Sequence, residues 1–175
     1  MIVESAASSK LTGRVVARLQ TGDFGRSVAF SPDGELLAVG HYGGTARLVS
    51  TRTWKPIGRT LDGQEARLTA LEFSPDGRVL ATGSADGTVL LWDAGTQRAI
   101  GSPLEIEPDA YVSATFARDG SHLFAVPHTG RGVRWDLRPA SWKRHACLVA
   151  GRDLTGPEWR DALPERPFQP ICRRG

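Results

Sequence analysis

An internal repeat of 43 residues constrains the fold of this chain more than any other feature of its sequence. The segment F-S-P-D-G at residues 30–34 returns at residues 73–77 and, as F-A-R-D-G, at residues 116–120. A set of glycines keeps the same spacing: Gly44, Gly87 and Gly130. Because two independent landmarks share one period, the chain is predicted to be an array of similar units, each burying its apolar face against its neighbour.

Each unit has the sequence pattern of an antiparallel meander. A first segment of about six mainly apolar residues ends at S-P-D-G, where proline and glycine favour a tight turn. A second such segment runs to the next glycine turn, and a third follows. After the third segment of the first two units comes a more amphipathic fourth one, K-P-I-G-R-T-L or R-A-I-G-S-P-L. The helical period of 3.6 residues does not occur before residue 140, so the repeats are predicted to be all-β.

Composition and charge narrow the class of protein. With 40% hydrophobic and 23% charged residues the chain is globular, and its apolar runs are far shorter than the roughly 20 residues that span a bilayer. The N-terminus has no basic start followed by an apolar segment, so a cytoplasmic location is expected. The net charge of +3 is concentrated in residues 138–175, which hold eight Lys/Arg and four Asp/Glu.

The middle unit, G-S-A-D-G-T-V-L-L-W-D at residues 83–93, resembles the WD-repeat β-propeller family, and the resemblance extends over residues 13–136. It implies an all-β fold, a partial β-propeller of about three four-stranded antiparallel blades with a short helical C-terminal tail. The implied domains are a degenerate or disordered N-terminus (1–12), the WD-repeat blades (13–137) and a helical, Pro-rich closing tail (138–175).

The resemblance also implies structural residues. Blades of this family are often clamped by a hydrogen-bonded His, Ser/Thr, Asp and Trp, and the middle unit keeps all but the histidine. Gln64 stands where the histidine is usual, so the clamp is expected to be incomplete, and strand pairing should contribute more to stability than the clamp does. The residues given structural roles are Ser84, Asp86, Trp92, Asp93, Trp135 and Asp136.

The tail departs from the blade pattern. A helix is predicted from Ser141, as N-cap, to Gly151, as its stop, and Thr155 with Glu158 forms a capping box for a second short helix. The tail is similar to the closing segment of large bacterial WD-repeat signalling proteins. Its two cysteines, Cys147 and Cys172, are expected to be free thiols in a reducing compartment, with a disulfide as the alternative.

Three blades are too few for a ring, because propellers typically have four to eight. An open arc leaves apolar blade faces uncovered, and such faces mark interaction sites. Three explanations stay open: the chain is a fragment of a longer propeller, two copies associate, or another chain completes the ring.

No constellation of reactive residues supports catalysis. His145 and Cys147 are two positions apart on the predicted helix and point in different directions. The cysteines and histidines lack metal-ligand spacing, and no phosphate-binding glycine loop occurs. We therefore predict no enzyme activity, no cofactor and no metal. Nucleic-acid binding is disfavoured because the tail's arginines stand among acidic residues.

The favoured function is recognition of a protein or peptide, without catalysis. The resemblance places the contact surface on the rim formed by the turns between second and third strands and by the loops that precede each first strand. The residues predicted to meet a partner are His41, Tyr42, Gln64, Glu65, Tyr111 and His128. The alternative is a purely structural end-cap of a larger propeller-containing signalling ATPase or kinase.

Overall fold

In the computed structural model the chain forms two compact units, Met1–Arg134 and Trp135–Gly175. It describes residues 2–3, 17–18, 25–153, 155–158, 167, 170 and 172. Two short strands, β1 (Ile2–Val3) and β2 (Ala17–Arg18), pair antiparallel. Three larger antiparallel sheets follow in chain order and correspond to the three sequence repeats.

The three sheets are called blades 1, 2 and 3. Blade 1 consists of β3 (Gly25–Phe30), β4 (Leu36–His41), β5 (Thr45–Ser50) and β6 (Pro56–Asp62). Blade 2 consists of β7 (Leu68–Phe73), β8 (Val79–Ser84), β9 (Thr88–Asp93), β10 (Arg98–Ala99) and β11 (Leu104–Glu105). Blade 3 consists of β12 (Val112–Phe116), β13 (His122–Pro127) and β14 (Val133–Asp136), and β14 includes the residue at which the first unit ends. The all-β fold, a partial propeller with a short helical tail, is confirmed.

The fourth strand of blade 2 differs from the prediction of one continuous strand. It is divided into β10 and β11, and both pieces pair with β9. Gly101 lies between them with a φ of 74°, and Pro103 follows. A left-handed residue and a residue without a backbone N–H interrupt a hydrogen-bonded ladder, which explains the division.

The S-P-D-G turns between first and second strands are confirmed. In blade 1 the Gly34 N–H donates to the Ser31 carbonyl at 2.9 Å, and Gly34 has a φ of 73°. The Ser31 hydroxyl donates to the carboxylate of Asp33, which also accepts the Glu35 N–H. The second repeat has the same bonds at Ser74, Asp76, Gly77 and Arg78.

Adjacent blades pack face to face. β7 lies against β3 and β4 of blade 1, and β12 lies against β7 and β8 of blade 2. The second strands β4 and β8 are almost wholly buried, as expected for strands covered on both faces. The main core cluster lies in blades 1 and 2 and contains Ala38, Ala46, Leu48, Leu61, Leu68, Phe73, Leu80, Leu90, Trp92 and Ala94.

A single glutamine side chain joins the outer parts of blades 1 and 2. Gln97, which has a φ of 57°, accepts the Arg59 N–H at Oε1 across 2.6 Å and donates from Nε2 to the Ile57 carbonyl across 3.3 Å. Between these two residues stands Gly58, where an added Cβ would lie 2.0 Å from Gln97 Oε1. The outermost strand of blade 1 is therefore bound to the loop that follows β9.

The second unit contains the helix α1 (Pro139–Ala150). The helix begins two residues before Ser141, the predicted N-cap, because Pro139 has the φ that the first helical position requires. Its end is as predicted: Gly151 has a φ of 65° and donates its N–H to the Cys147 carbonyl. The predicted capping box is confirmed by reciprocal hydrogen bonds between Thr155 and Glu158.

The expectation of two free thiols is corrected, because Cys147 and Cys172 form a disulfide. The left-handed Gly151 turns the chain away from α1, and the Cys172 N–H donates to the carboxylate of Asp153 at 2.6 Å. These local contacts bring the two cysteine Cα atoms to 5.4 Å, within the range that a disulfide spans.

Candidate functional site

Four side chains from four different strand connections meet on the surface of the first unit. Arg67 precedes β7, Tyr111 precedes β12, and Tyr42 and His128 lie in turns that follow β4 and β13. The guanidinium carbon of Arg67 lies 4.3 Å from the ring centroid of Tyr111 and 5.9 Å from that of Tyr42. We call Tyr42, Arg67, Tyr111 and His128 the rim cluster.

The rim cluster is ordered by its own contacts while its rings face solvent. Tyr42 and Tyr111 are 53% and 48% exposed. The ring of His128 lies 5.4 Å from that of Tyr111, and its Nδ1 accepts the Tyr111 N–H at 3.2 Å. The side chain of Tyr42, and then that of Tyr111, raises the pKa of Arg67 above its ordinary value. Large exposed aromatic rings held by a fixed cation are typical of protein interaction surfaces.

Two of the six residues predicted to meet a partner, His41 and Gln64, are buried and are not presented on the surface. His41 is 3% exposed, and its Nδ1 lies 3.2 Å from the hydroxyl of Thr45. Gln64 is 6% exposed. Glu65 is exposed, and its N–H donates to the carboxylate of Asp86. Tyr42, Tyr111 and His128 are therefore the predicted residues that the structure brings together on the surface.

Gln64 performs a structural task in blade 2. Its Nε2 donates to the Thr82 carbonyl at 3.2 Å and to the Thr88 hydroxyl at 3.0 Å, while its Oε1 accepts the hydroxyl of Thr82. Thr82 in turn accepts the indole N–H of Trp92 at 3.0 Å. The Thr88 hydroxyl also donates to Asp86. A continuous hydrogen-bonded chain thus links Asp86, Thr88, Gln64, Thr82 and Trp92, and we call it the blade 2 network.

The blade 2 network corrects the expected clamp in two respects. The hydroxyl that meets Trp92 belongs to Thr82, whereas Ser84 donates to the Ala66 carbonyl at 3.1 Å. The glutamine replaces the usual histidine without breaking the chain, because an amide both donates and accepts. The network is therefore continuous where the sequence predicted an incomplete one.

Asp86 holds the loop before β7 in place from the outer end of this network. Its carboxylate accepts the N–H groups of Glu65 and Thr88 and the hydroxyl of Thr88. Burial of the carboxyl opposes its ionised form, but the hydrogen bonds, first that of the Thr88 side chain, outweigh this effect and lower the pKa of Asp86. Because Arg67 follows Glu65 in the same loop, Asp86 helps to fix the backbone that carries Arg67.

Of the remaining predicted structural residues, Asp93 and Asp136 make local hydrogen bonds. Asp93, at the end of β9, accepts the N–H and the hydroxyl of Thr96. Trp135 and Asp136 begin the second unit and are partly buried. Asp136 pairs with Arg138, whose guanidinium, together with its backbone N–H, holds the pKa of that carboxyl well below its usual range.

The sequence analysis missed Arg67 and Thr82. Arg67 lies in one of the loops predicted to form the rim, two residues beyond Glu65, so the location was given but the residue was not. Thr82 stands two positions before Ser84 on β8, and side chains two apart in a strand share a face. The presence of a second hydroxyl on that face was the available signal.

Neither a metal-binding cluster nor a membrane-spanning helix is found in the part of the chain that the structure describes. Among those residues, no three His, Cys, Asp or Glu side chains are grouped so that they could hold a metal ion. Within the same residues, no helix has the length and apolar character needed to cross a bilayer.

Comparison with known proteins agrees with the geometry of the first two blades. Residues 20–50 and 55–93 match the family model described as WD domain, G-beta repeat. No curated protein matches the chain. The two matched segments support a WD-repeat family, whose repeats are typically interaction modules without catalysis.

Proposed function

We propose that this chain, two of whose segments match WD repeats, binds a protein or peptide on the rim cluster and performs no catalysis. The observation that carries the proposal is the position of the Arg67 guanidinium over two exposed tyrosine rings from different blades. Interfaces are enriched in tyrosine and arginine, and these residues dominate binding energy when a partner covers them.

The arrangement favours binding because the surface is ordered before a partner arrives. The Tyr111 N–H is bonded to His128, and the loop that carries Arg67 is held by Asp86 through Glu65. A pre-ordered surface loses less conformational entropy when it binds than a mobile loop does. The rim cluster therefore meets the two requirements of a recognition site, exposed aromatic area and fixed geometry.

Selection from a random peptide library on the immobilised full chain tests the proposal. Peptides selected by the wild type should bind the double variant R67A/Y111A at least ~10-fold more weakly, as expected when two interface anchors are removed. A variant with alanine at exposed Phe124, which lies outside the rim cluster, should retain the selected peptides. Equal binding to the wild type and R67A/Y111A would refute the rim cluster as the binding site.

A second candidate function is a structural role at the end of a larger propeller. The exposed apolar side chains on the outer blade faces favour it, among them Val28, Phe30, Phe124 and Val126. In that case the rim variants would leave partner binding unchanged, whereas substitutions on a blade face would abolish it.

A further inference from the structure

We propose that the outer face of β3 receives a β-sheet of a partner protein that presents small residues on its second strand, and that a second copy of this chain cannot take that place. A further sheet can then be added to the outer face of blade 1 but not to that of blade 3. The inference rests on how the two existing blade joints are built and on which of their features the two end faces keep.

The joint between blades 1 and 2 favours a small residue on β4. A Cβ added at Gly40 would lie 2.6 Å from the Ser27 Oγ of its own blade, and 3.1 Å from both the Leu68 Cβ and the Leu71 Cδ1 of blade 2. Ala38, two positions earlier on the same face, has no exposed surface. The second strand of blade 1 thus offers an Ala-x-Gly surface to the first strand of blade 2.

The joint between blades 2 and 3 repeats this construction 43 residues later, at Ala81 and Gly83. A Cβ added at Gly83 would lie 2.6 Å from the Val112 carbonyl oxygen of blade 3, a distance that real Cβ atoms essentially never show. The same carbonyl accepts the hydroxyl of Thr69 at 2.7 Å. Backbone meets backbone at this joint, and therefore only glycine fits.

The outer face of β3 has the side chains that a joint needs from the incoming strand. Phe30 is 46% exposed, but Phe73 and Phe116, at the same repeat position in blades 2 and 3, are 5% and 8% exposed. Val28, two positions before Phe30, is 44% exposed. Since these side chains continue the pattern of the two established joints, the occupant that fits them is a sheet with its own Ala-x-Gly strand.

The outer face of β13 has lost the complementary feature. Phe124 stands at the repeat position of Ala81, and Val126 stands at that of Gly83. Both are exposed, at 40% and 47%. The Val126 side chain occupies the space into which the backbone of a following blade would come, so the β3 of a second copy cannot seat there. The β13 face therefore prevents head-to-tail association of two copies, whereas the β3 face keeps the side chains that a joint needs.

Restoring the missing glycine tests the proposal with the full-length chain as its own probe. A groove variant, F30E/F124A/V126G, presents Ala-x-Gly on β13 and is blocked at β3 by a charge. Labelled wild type should bind this variant in a 1:1 complex at least ~10-fold more tightly than it binds F30E alone. A matched control, F30E/F124A/V126A, differs from the groove variant by one methyl group and should bind no better than F30E.

The outcomes separate the proposal from its alternatives. Binding of the wild type to F30E as tight as to the groove variant would overturn it, since Phe124 and Val126 would then not block association. A groove variant that unfolds cooperatively yet fails to bind would overturn it as well. If a labelled chain that carries F30E no longer binds the groove variant, the proposal is supported, because the contact then lies on β3.

A second measurement keeps the proposal testable if Val126→Gly prevents folding. Gly83→Ala places a single Cβ in the established joint, and hydrogen exchange of β12 amides should then be at least ~10-fold faster than in the wild type. Gly95→Ala, in an open loop where an added Cβ would meet only the Asp93 side chain at 3.6 Å, is the control. Unchanged protection of β12 in Gly83→Ala would show that the joint tolerates a Cβ and would overturn the proposal.

Discussion

Trp92 donates its indole N–H to the hydroxyl oxygen of Thr82 across 3.0 Å, and both residues are at most 5% exposed. Thr82→Val keeps the shape of the side chain but leaves the indole N–H and the Gln64 carbonyl without this partner. We expect the free energy of unfolding to fall by about 2 kcal/mol, the cost of burying unsatisfied polar groups. Urea denaturation measures the change.

Exposed Thr53 supplies the control for this substitution. Thr53→Val should alter the free energy of unfolding by less than about 0.5 kcal/mol, as is usual for surface positions. If Thr82→Val unfolds at the same urea concentration as Thr53→Val, the blade 2 network does not contribute to stability.

Two glycines with similar backbone angles should respond very differently to alanine. Gly34 and Gly87 have φ values of 73° and 88°. An added Cβ at Gly34 has no atom within 4 Å, whereas at Gly87 it would lie 1.8 Å from the Glu107 carbonyl oxygen. Gly34→Ala should cost about 1 kcal/mol for its left-handed conformation, and Gly87→Ala more than about 3 kcal/mol. Thermal unfolding of both variants checks the difference, and equal melting temperatures would contradict it.

Acid should remove a stabilising contribution that Asp86 makes at neutral pH. Its pKa is lowered in the folded chain, so the contribution is present above about pH 3.9, the ordinary aspartate value, and is lost as pH falls through the folded value. The urea midpoint of Asp86→Asn should therefore decrease less than that of the wild type as the pH is lowered below 4. Exposed Asp62→Asn is the control, and an identical pH profile for wild type and Asp86→Asn would contradict the prediction.

Reduction of the Cys147–Cys172 disulfide should destabilise the second unit. The bond closes a loop of 25 residues, and loop-closure entropy then contributes about 3.5 kcal/mol. We expect amides of α1 to lose hydrogen-exchange protection on reduction, while those of blade 2 keep theirs. A thiol assay of the denatured, unreduced chain should detect no free thiol, and two free thiols there would show that the bond does not form.

The repeat made most of the first unit predictable. Proline and glycine at fixed positions of S-P-D-G determine the turn, and apolar segments of six residues determine the strands on either side. The division of the fourth strand at Gly101 was not predictable in the same way, since one glycine and one proline in a loop are compatible with several paths. The disulfide was left open because cysteine spacing does not give the distance between Cα atoms.

The site was predictable only to the level of the loop. Burial of His41 and Gln64 depends on how closely neighbouring blades approach, which one strand pattern does not specify. Leu80 is directly opposite Trp92 in the register of β8 and β9. The large ring of Trp92 reaches Thr82, which lies diagonally across from it on β8. The choice of Thr82 as its partner follows from strand register rather than from residue type.

The amide of Gln97 has a consequence for how the first unit comes apart. Because it binds backbone atoms on both sides of Gly58, unfolding of the loop after β9 would also break two hydrogen bonds to β6, the outermost strand of blade 1. Blades 1 and 2 should therefore lose their structure in one transition, and cutting the polypeptide between Asp62 and Leu68 would not yield two halves that fold independently.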